Sequence, residues 1–152
     1  SFEKTTYNVL PYKFEAGTPN YVGSYAFGKA IDYMQSIGLE HIAKHEHSLA
    51  EYIEQELSKI EQVRIYAAGK EKAGAVSFNV YRGDGALIHP FDVGVLLDRQ
   101  GVAVRTGHHC AEPLIDYLGV PGTVRASVGL YNTKEDIDAF VVALKKAIMM
   151  LE

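Results

Sequence analysis

A single cysteine, Cys110, stands in the run Arg105-Thr106-Gly107-His108-His109-Cys110-Ala111-Glu112-Pro113, and the residue types around it are those that activate a thiol. A lone thiol cannot staple a fold, so its meaning lies in packing or in chemistry. Gly107 loosens the backbone just before it, and one arginine and two imidazoles raise the local positive potential. Pro113 suits the first residue of a short helix over 114–118, which places Cys110 just ahead of that helix's N-terminal dipole. Such surroundings favour thiolate over thiol. From a free value near ~8.5, a fall of about two pKa units, worth roughly 2.7 kcal/mol, makes most of a thiol nucleophilic at neutral pH. The competing reading is a small buried hydrophobe, the commoner fate of a free cysteine.

Other residues carry chemistry with bland alternatives beside them. Arg125 sits mid-strand between apolar neighbours, where an unpaired guanidinium is costly, so a carboxylate partner is expected, in a structural salt bridge or from outside. Arg105 opens the cysteine loop and could hold a substrate, the loop itself or a persulfide, or be a surface residue shaping the strand end. Gly17-Thr18-Pro19-Asn20 precedes a helix, where a hydroxyl and exposed N–H groups suit an anion, although plain N-capping explains the same residues. His108, His109 and Cys110 are adjacent and cannot readily converge on one tetrahedral ion, and His41 and His45 lie among charged residues on a solvated face, so no metal site is expected. Arg82-Gly83-Asp84-Gly85 reads as a polar turn.

The elements that must position these residues follow from periodicity. Residues 21–37 read as a helix ended by Gly38, and 39–60 as a second, the two forming an antiparallel pair. Residues 63–67 and 75–81 are β-rich runs joined by a charged loop over 69–74. A short helix over 92–99, a strand over 102–105 and an alternating strand over 123–130 come next. In the last helix Ile137, Phe140, Val141, Leu144 and Ile148 share one face, and Thr133 with Asp136 resembles a capping box. This order implies an α/β fold, a small, mostly antiparallel sheet covered by helices. The first twenty residues carry Phe2, Tyr7, Leu10, Pro11, Tyr12 and Phe14 without pattern and begin without methionine, which reads as a cut edge packed against something outside the sequence.

The 152 residues are ordinary globular material with a net charge of −4, which gives no reason to expect nucleic acid or an anionic membrane. No apolar run is long enough to span a bilayer, no signal-peptide layout is present, and one unpaired cysteine fits the cytoplasm.

The run 105–113 resembles the RxGHHCAxP signature of group II cysteine desulfurases, the SUF-type enzymes also known as selenocysteine lyases. Residues 14–20, 89–94, and 125–127 with 131–133 are similar to the same family in the same order, so the likeness runs from about Tyr12 to the C-terminus. It covers the C-terminal third or so of such an enzyme. The stretch from Arg82 to His89 is somewhat longer than in the family.

The resemblance implies the small C-terminal domain of a fold type I pyridoxal-phosphate enzyme over 21–152, with 1–20 left from the large domain and the dimer contact. It implies conversion of L-cysteine to L-alanine with a persulfide on Cys110, passed to a SUF-system acceptor for iron–sulfur cluster assembly, with L-selenocysteine as a further substrate. It makes Cys110 the nucleophile, Arg125 the grip on the substrate carboxylate, Arg105 a further substrate-site residue, and His108 and His109 loop supports. Thr18, with Gly17, would reach across a homodimer to the cofactor phosphate. The cofactor's lysine belongs to the large domain, and no lysine here sits in that family's motif, so the chain alone is expected to be inactive. The competing function is a non-catalytic thiol carrier or interaction domain, in which Cys110 relays sulfur or binds a partner.

Overall fold

The computed structural model describes residues 3–15, 17–70 and 72–152, so that Ser1, Phe2, Ala16 of the 14–20 motif and Glu71 of the 69–74 loop lie outside the described residues. The chain packs as two units, 1–39 and 40–152. The first unit contains α1 (Tyr21–Ile37), in which no residue is buried; Tyr25, Phe27 and Tyr33 all stand exposed. Asn20 caps it, accepting from the Gly23 N–H at 2.9 Å, and Gly38 closes it.

The second unit holds α2 (Leu39–Leu57) from Glu40 on, and one antiparallel sheet. Its strands are β1 (Val63–Ile65), β2 (Ala75–Tyr81), β3 (Leu87–Ile88), β4 (Arg105–Gly107) and β5 (Thr123–Ser127), in the order β1-β2-β5-β4, with β3 also paired to β2. Three more helices, α3 (Pro90–Asp98), α4 (Glu112–Leu118) and α5 (Lys134–Leu151), complete it. The fold is therefore the expected α/β arrangement with an antiparallel sheet.

Val76, Phe78 and Val80 of β2 alternate onto one face and pack with Val124 and Ala126 of β5, Leu49, Ile53 and Leu57 of α2, and the stripe Ile137, Phe140, Val141, Leu144 and Ile148 of α5. The α5 stripe recurs at helical spacing, and all five residues are buried. Thr133 and Asp136 close the capping box, the Thr133 N–H donating to Asp136 Oδ2 at 2.9 Å.

Several boundaries differ from the sequence reading: α2 ends at Leu57 and not at 60, β1 at Ile65 and not at 67, α4 begins at Glu112, and three further shifts have a local reason. β5 stops at Ser127 because a turn takes over, in which the Gly129 N–H donates to Asn132 Oδ1 at 2.9 Å and the Asn132 N–H returns to the Gly129 carbonyl at 3.0 Å. α3 starts at Pro90, earlier than expected, because the His89 Nδ1 accepts from the Phe91 N–H at 3.2 Å and so serves as the N-cap. β4 lies over 105–107, so Val102 to Val104 approach it as unpaired chain.

Candidate functional site

Side chains alternate across a strand, so the residues between the core positions face the other way. On β2 these include Ser77 and Asn79, and on β5 Thr123 and Arg125. Register places Arg125 opposite both Ser77 and Arg105, and Gly107 opposite Thr123. One face of the sheet therefore holds the apolar core, and the other gathers the polar residues expected to do chemistry.

Two arginines directly opposite each other on neighbouring strands repel, and such a pair persists when an anion lies between or above them. Among the described residues no carboxylate supplies it. Among the described residues neither Arg105 nor Arg125 joins an ion pair, and the Arg125 Nε is buried without a hydrogen-bond partner. The structural salt bridge considered for Arg125 does not form.

From Gly107 the chain turns sharply into α4. His109 and Cys110 both adopt left-handed backbone conformations, with φ of 56° and 58°. For residues with a Cβ this costs roughly 1–2 kcal/mol each, so the turn must be held by its surroundings. The His108 carbonyl accepts from the Ala111 N–H at 2.9 Å, and α4 begins two residues after Cys110, with Pro113 in its first turn. The His108 imidazole itself is exposed. The His109 imidazole is tied back to the sheet, its Nε2 lying 3.1 Å from the Thr123 carbonyl and 2.9 Å from Thr123 Oγ1. A carbonyl can only accept, so Nε2 carries the proton, and Nδ1 is left buried without a partner. Burial holds this imidazole below its ordinary pKa; the Thr123 contact opposes that, and the positive charges of Arg125, Arg105 and His108 reinforce it.

Cys110 is exposed, which rules out the buried-hydrophobe reading. The Arg105 Nη2 donates to its Sγ at 3.4 Å, within reach for a sulfur acceptor. Behind β4, Gly94 of α3 lets the helix approach closely, since a Cβ there would lie 2.7 Å from Thr106 Cγ2. The 89–94 motif thus caps α3 and seats it against the strand that leads to Cys110.

The remaining sites expected from sequence are local. Thr18 and Gly17 belong to the first unit and are exposed, and Asn20 performs the capping, so the Thr18 hydroxyl is not spent on α1. Arg82 to Gly85 form the expected turn, with the Gly85 N–H donating to the Arg82 carbonyl at 2.9 Å. His45 reaches the Asn132 carbonyl at 3.0 Å. Sequence reading missed Asn79, the fully buried amide on the polar face; its signal was a lone Asn inside the apolar run Ala75 to Tyr81.

A family model for aminotransferase class-V matches residues 1–140. The chain belongs to the aminotransferase class-V family. Within this family, it is 49% identical over 142 residues to a probable cysteine desulfurase of Halalkalibacterium halodurans, covering 93% of the chain and 34% of that protein. A cysteine desulfurase of Cronobacter sakazakii is 44% identical over 142 residues, again covering 93% of the chain and 34% of its own length. Among solved structures, a cysteine desulfurase from Thermococcus onnurineus superposes with a TM-score of 0.83 at 38% identity, covering 99% of this chain and 37% of the other. The cysteine desulfurase CsdA from Escherichia coli gives 0.82 at 36% identity, covering 100% and 36%. A C-DES variant with glycine covalently linked to its PLP cofactor shares the fold at TM-score 0.69 and 22% identity, covering 87% of this chain and 31% of the other. This aminotransferase class-V chain thus spans about a third of the length of the curated relatives it matches.

Proposed function

We propose that this chain supplies the thiol and the substrate-carboxylate grip of a SUF-type cysteine desulfurase, which converts L-cysteine to L-alanine and leaves the sulfur as a persulfide on Cys110. The observation that carries the reading is the exposed Cys110 Sγ, 3.4 Å from Arg105 Nη2, on a rim that also holds the unpaired Arg125. Arg125 would receive the substrate α-carboxylate, whose two oxygens match the planar guanidinium fork. The Cys110 thiolate would attack the substrate sulfur: a new S–S bond forms as the substrate Cβ–S bond breaks, and the carbon side keeps that electron pair and takes a proton to become alanine. Arg105 would stay beside the sulfur through the transfer, with His109 holding the loop and the His108 carbonyl closing the turn.

Pyridoxal phosphate suits the residues present in the first unit, where the exposed Thr18 hydroxyl, not spent on capping α1, is open to a phosphate together with the Gly17 backbone. When bound, this cofactor supplies the electron sink that makes the Cβ–S bond breakable. L-Selenocysteine would serve as a second substrate. The persulfide would pass to a SUF-system acceptor for iron–sulfur cluster assembly, in a homodimeric cytoplasmic enzyme. The 152-residue chain by itself is expected to make no alanine.

The test is to supply L-cysteine to the intact protein without reductant and follow both products. Alanine should appear together with a mass increase of one sulfur on the Cys110 peptide, erased by dithiothreitol. Sulfur loaded on Cys110 only from an external persulfide donor, with no alanine, would favour the carrier function instead.

A further inference from the structure

The polar face of the sheet contains one group that the proposed chemistry does not use. Asn79 is fully buried, on β2, among side chains that are apolar on either side in sequence. A buried amide without partners is costly, so it stays where its bonds do something. Its Nδ2 donates to the Gly122 carbonyl at 2.9 Å and to the Tyr66 hydroxyl at 3.1 Å. Its Oδ1 is buried without a partner, so the amide is held by its donor side alone.

Gly122 is the residue on which two supports of the cysteine loop converge. A Cβ at this position would lie 3.0 Å from the Gly107 Cα, so its backbone rests directly on the glycine where the loop leaves β4. The next residue, Thr123, accepts the His109 imidazole at both its carbonyl and its hydroxyl. Fixing the Gly122 carbonyl therefore fixes, at one point, the seat of Gly107 and the anchor of His109, the residue before Cys110.

We propose that Asn79 is a positioning residue for Cys110, acting through the Gly122–Thr123 backbone on which both Gly107 and His109 rest. The inference builds on the reading of Cys110 as the nucleophile. The strut explains how two adjacent residues with Cβ atoms persist in left-handed conformations: they are held from the polar face of the sheet, by Asn79 through Gly122 and by Thr123, and from β4 by Arg105. With the strut gone, the loop relaxes and Cys110 drifts from Arg105 and from the aim that the rim gives it.

The experiment uses the intact protein and reads the second-order rate of Cys110 alkylation by iodoacetamide at a temperature well below melting. Asn79→Ala is expected to slow that rate at least threefold relative to the parent. The control is Val80→Ala, equally buried on the same strand, which should lower the melting temperature while leaving the alkylation rate within twofold. Gly122→Ala, which crowds Gly107 without opening a core cavity, should reproduce the slowing, and it stands in for Asn79→Ala if that variant does not fold. Asn79→Ala and Gly122→Ala proteins that fold and alkylate at the parent rate would overturn the proposal, as would an equal slowing in Val80→Ala. Alkylation reads loop geometry without turnover, so it is separate from the nucleophile assignment; that fails instead if Cys110→Ala keeps full desulfurase activity.

Discussion

In α5 every level of description agrees: the capping box of Thr133 and Asp136 starts the helix, the apolar stripe recurs at helical spacing, and the same stripe is the buried face. In the cysteine loop and the strands β4 and β5 beside it the levels disagree. Two residues with Cβ atoms take left-handed backbones, an imidazole nitrogen and a guanidinium nitrogen are buried without partners, and two arginines face each other across strands. Local rules that are broken while the surroundings hold firm mark places kept for function and not for stability. The difference teaches that α5 and the core set how stable the unit is, and the polar face of the same sheet sets what it can do. Changes in the two regions should therefore separate cleanly into stability and activity.

The largest effect tests the activity side. Cys110→Ala in the intact protein is expected to lower alanine formation from L-cysteine by roughly a thousandfold or more, because the thiol beside Arg105 that takes the sulfur is gone. Cys110 is exposed, so the melting transition should be unmoved within about 0.5 kcal/mol. A variant that turns over L-cysteine at the parental rate removes the nucleophile role.

Next comes the converse on α5. Leu144 is fully buried, and Leu144→Ala should reduce unfolding free energy by about 2–5 kcal/mol, measured by urea titration. Turnover per folded molecule should stay at the parent value. A matching loss of kcat/KM in the folded fraction would show that core and polar face are coupled, and the comparison would break.

Arg125→Lys sharpens the line, since Arg125 lies between Val124 and Ala126, both of which belong to the core. Loss of a two-pronged contact to the substrate carboxylate is worth about 1.5–3 kcal/mol, roughly ten- to a hundredfold in kcat/KM. Lysine keeps the charge but offers a point and not a fork. A lower melting temperature with unchanged kcat/KM would return Arg125 to a structural role.

The two regions also differ in how far the sequence revealed them. The α5 face and the pairing of Thr133 with Asp136 follow from spacing, because a helix is a local object whose periodicity survives without tertiary context. The antiparallel sheet was legible for the same reason in β2, but β4 was not: Val102 and Val104 look like strand residues, and the ladder forms only where β5 lies alongside, at 105–107. At the site, the residue types were legible and their relations were not. No spacing rule places Arg105 opposite Arg125, or reveals that His109 answers to Thr123 and Gly122 to Asn79, since each pair joins segments brought together only by folding. The extended reading of 123–130 failed because Asn132 closes a turn on Gly129, a side-chain choice that alternation does not encode.

The smallest effect concerns pH, and it falls on the loop alone. His109 titrates below its ordinary value in the folded state, because it is partly buried and because Arg125, Arg105 and His108 add positive potential, with the Thr123 contact opposing. In the unfolded chain the same imidazole titrates near ~6.5. The sign follows from proton counting: between these two values the unfolded state binds a proton that the folded state refuses, so stability rises with pH there. The contribution is fully present above about 6.5 and is lost as pH falls through the lower, folded value. His109→Asn removes the titrating group while keeping a residue that tolerates a left-handed backbone. The variant should therefore lose less stability than the parent between neutral and mildly acidic pH in urea titrations at matched ionic strength. Identical pH slopes for parent and variant would mean that His109 is not held neutral by the rim, and that the loop does not share in the pH response of the fold.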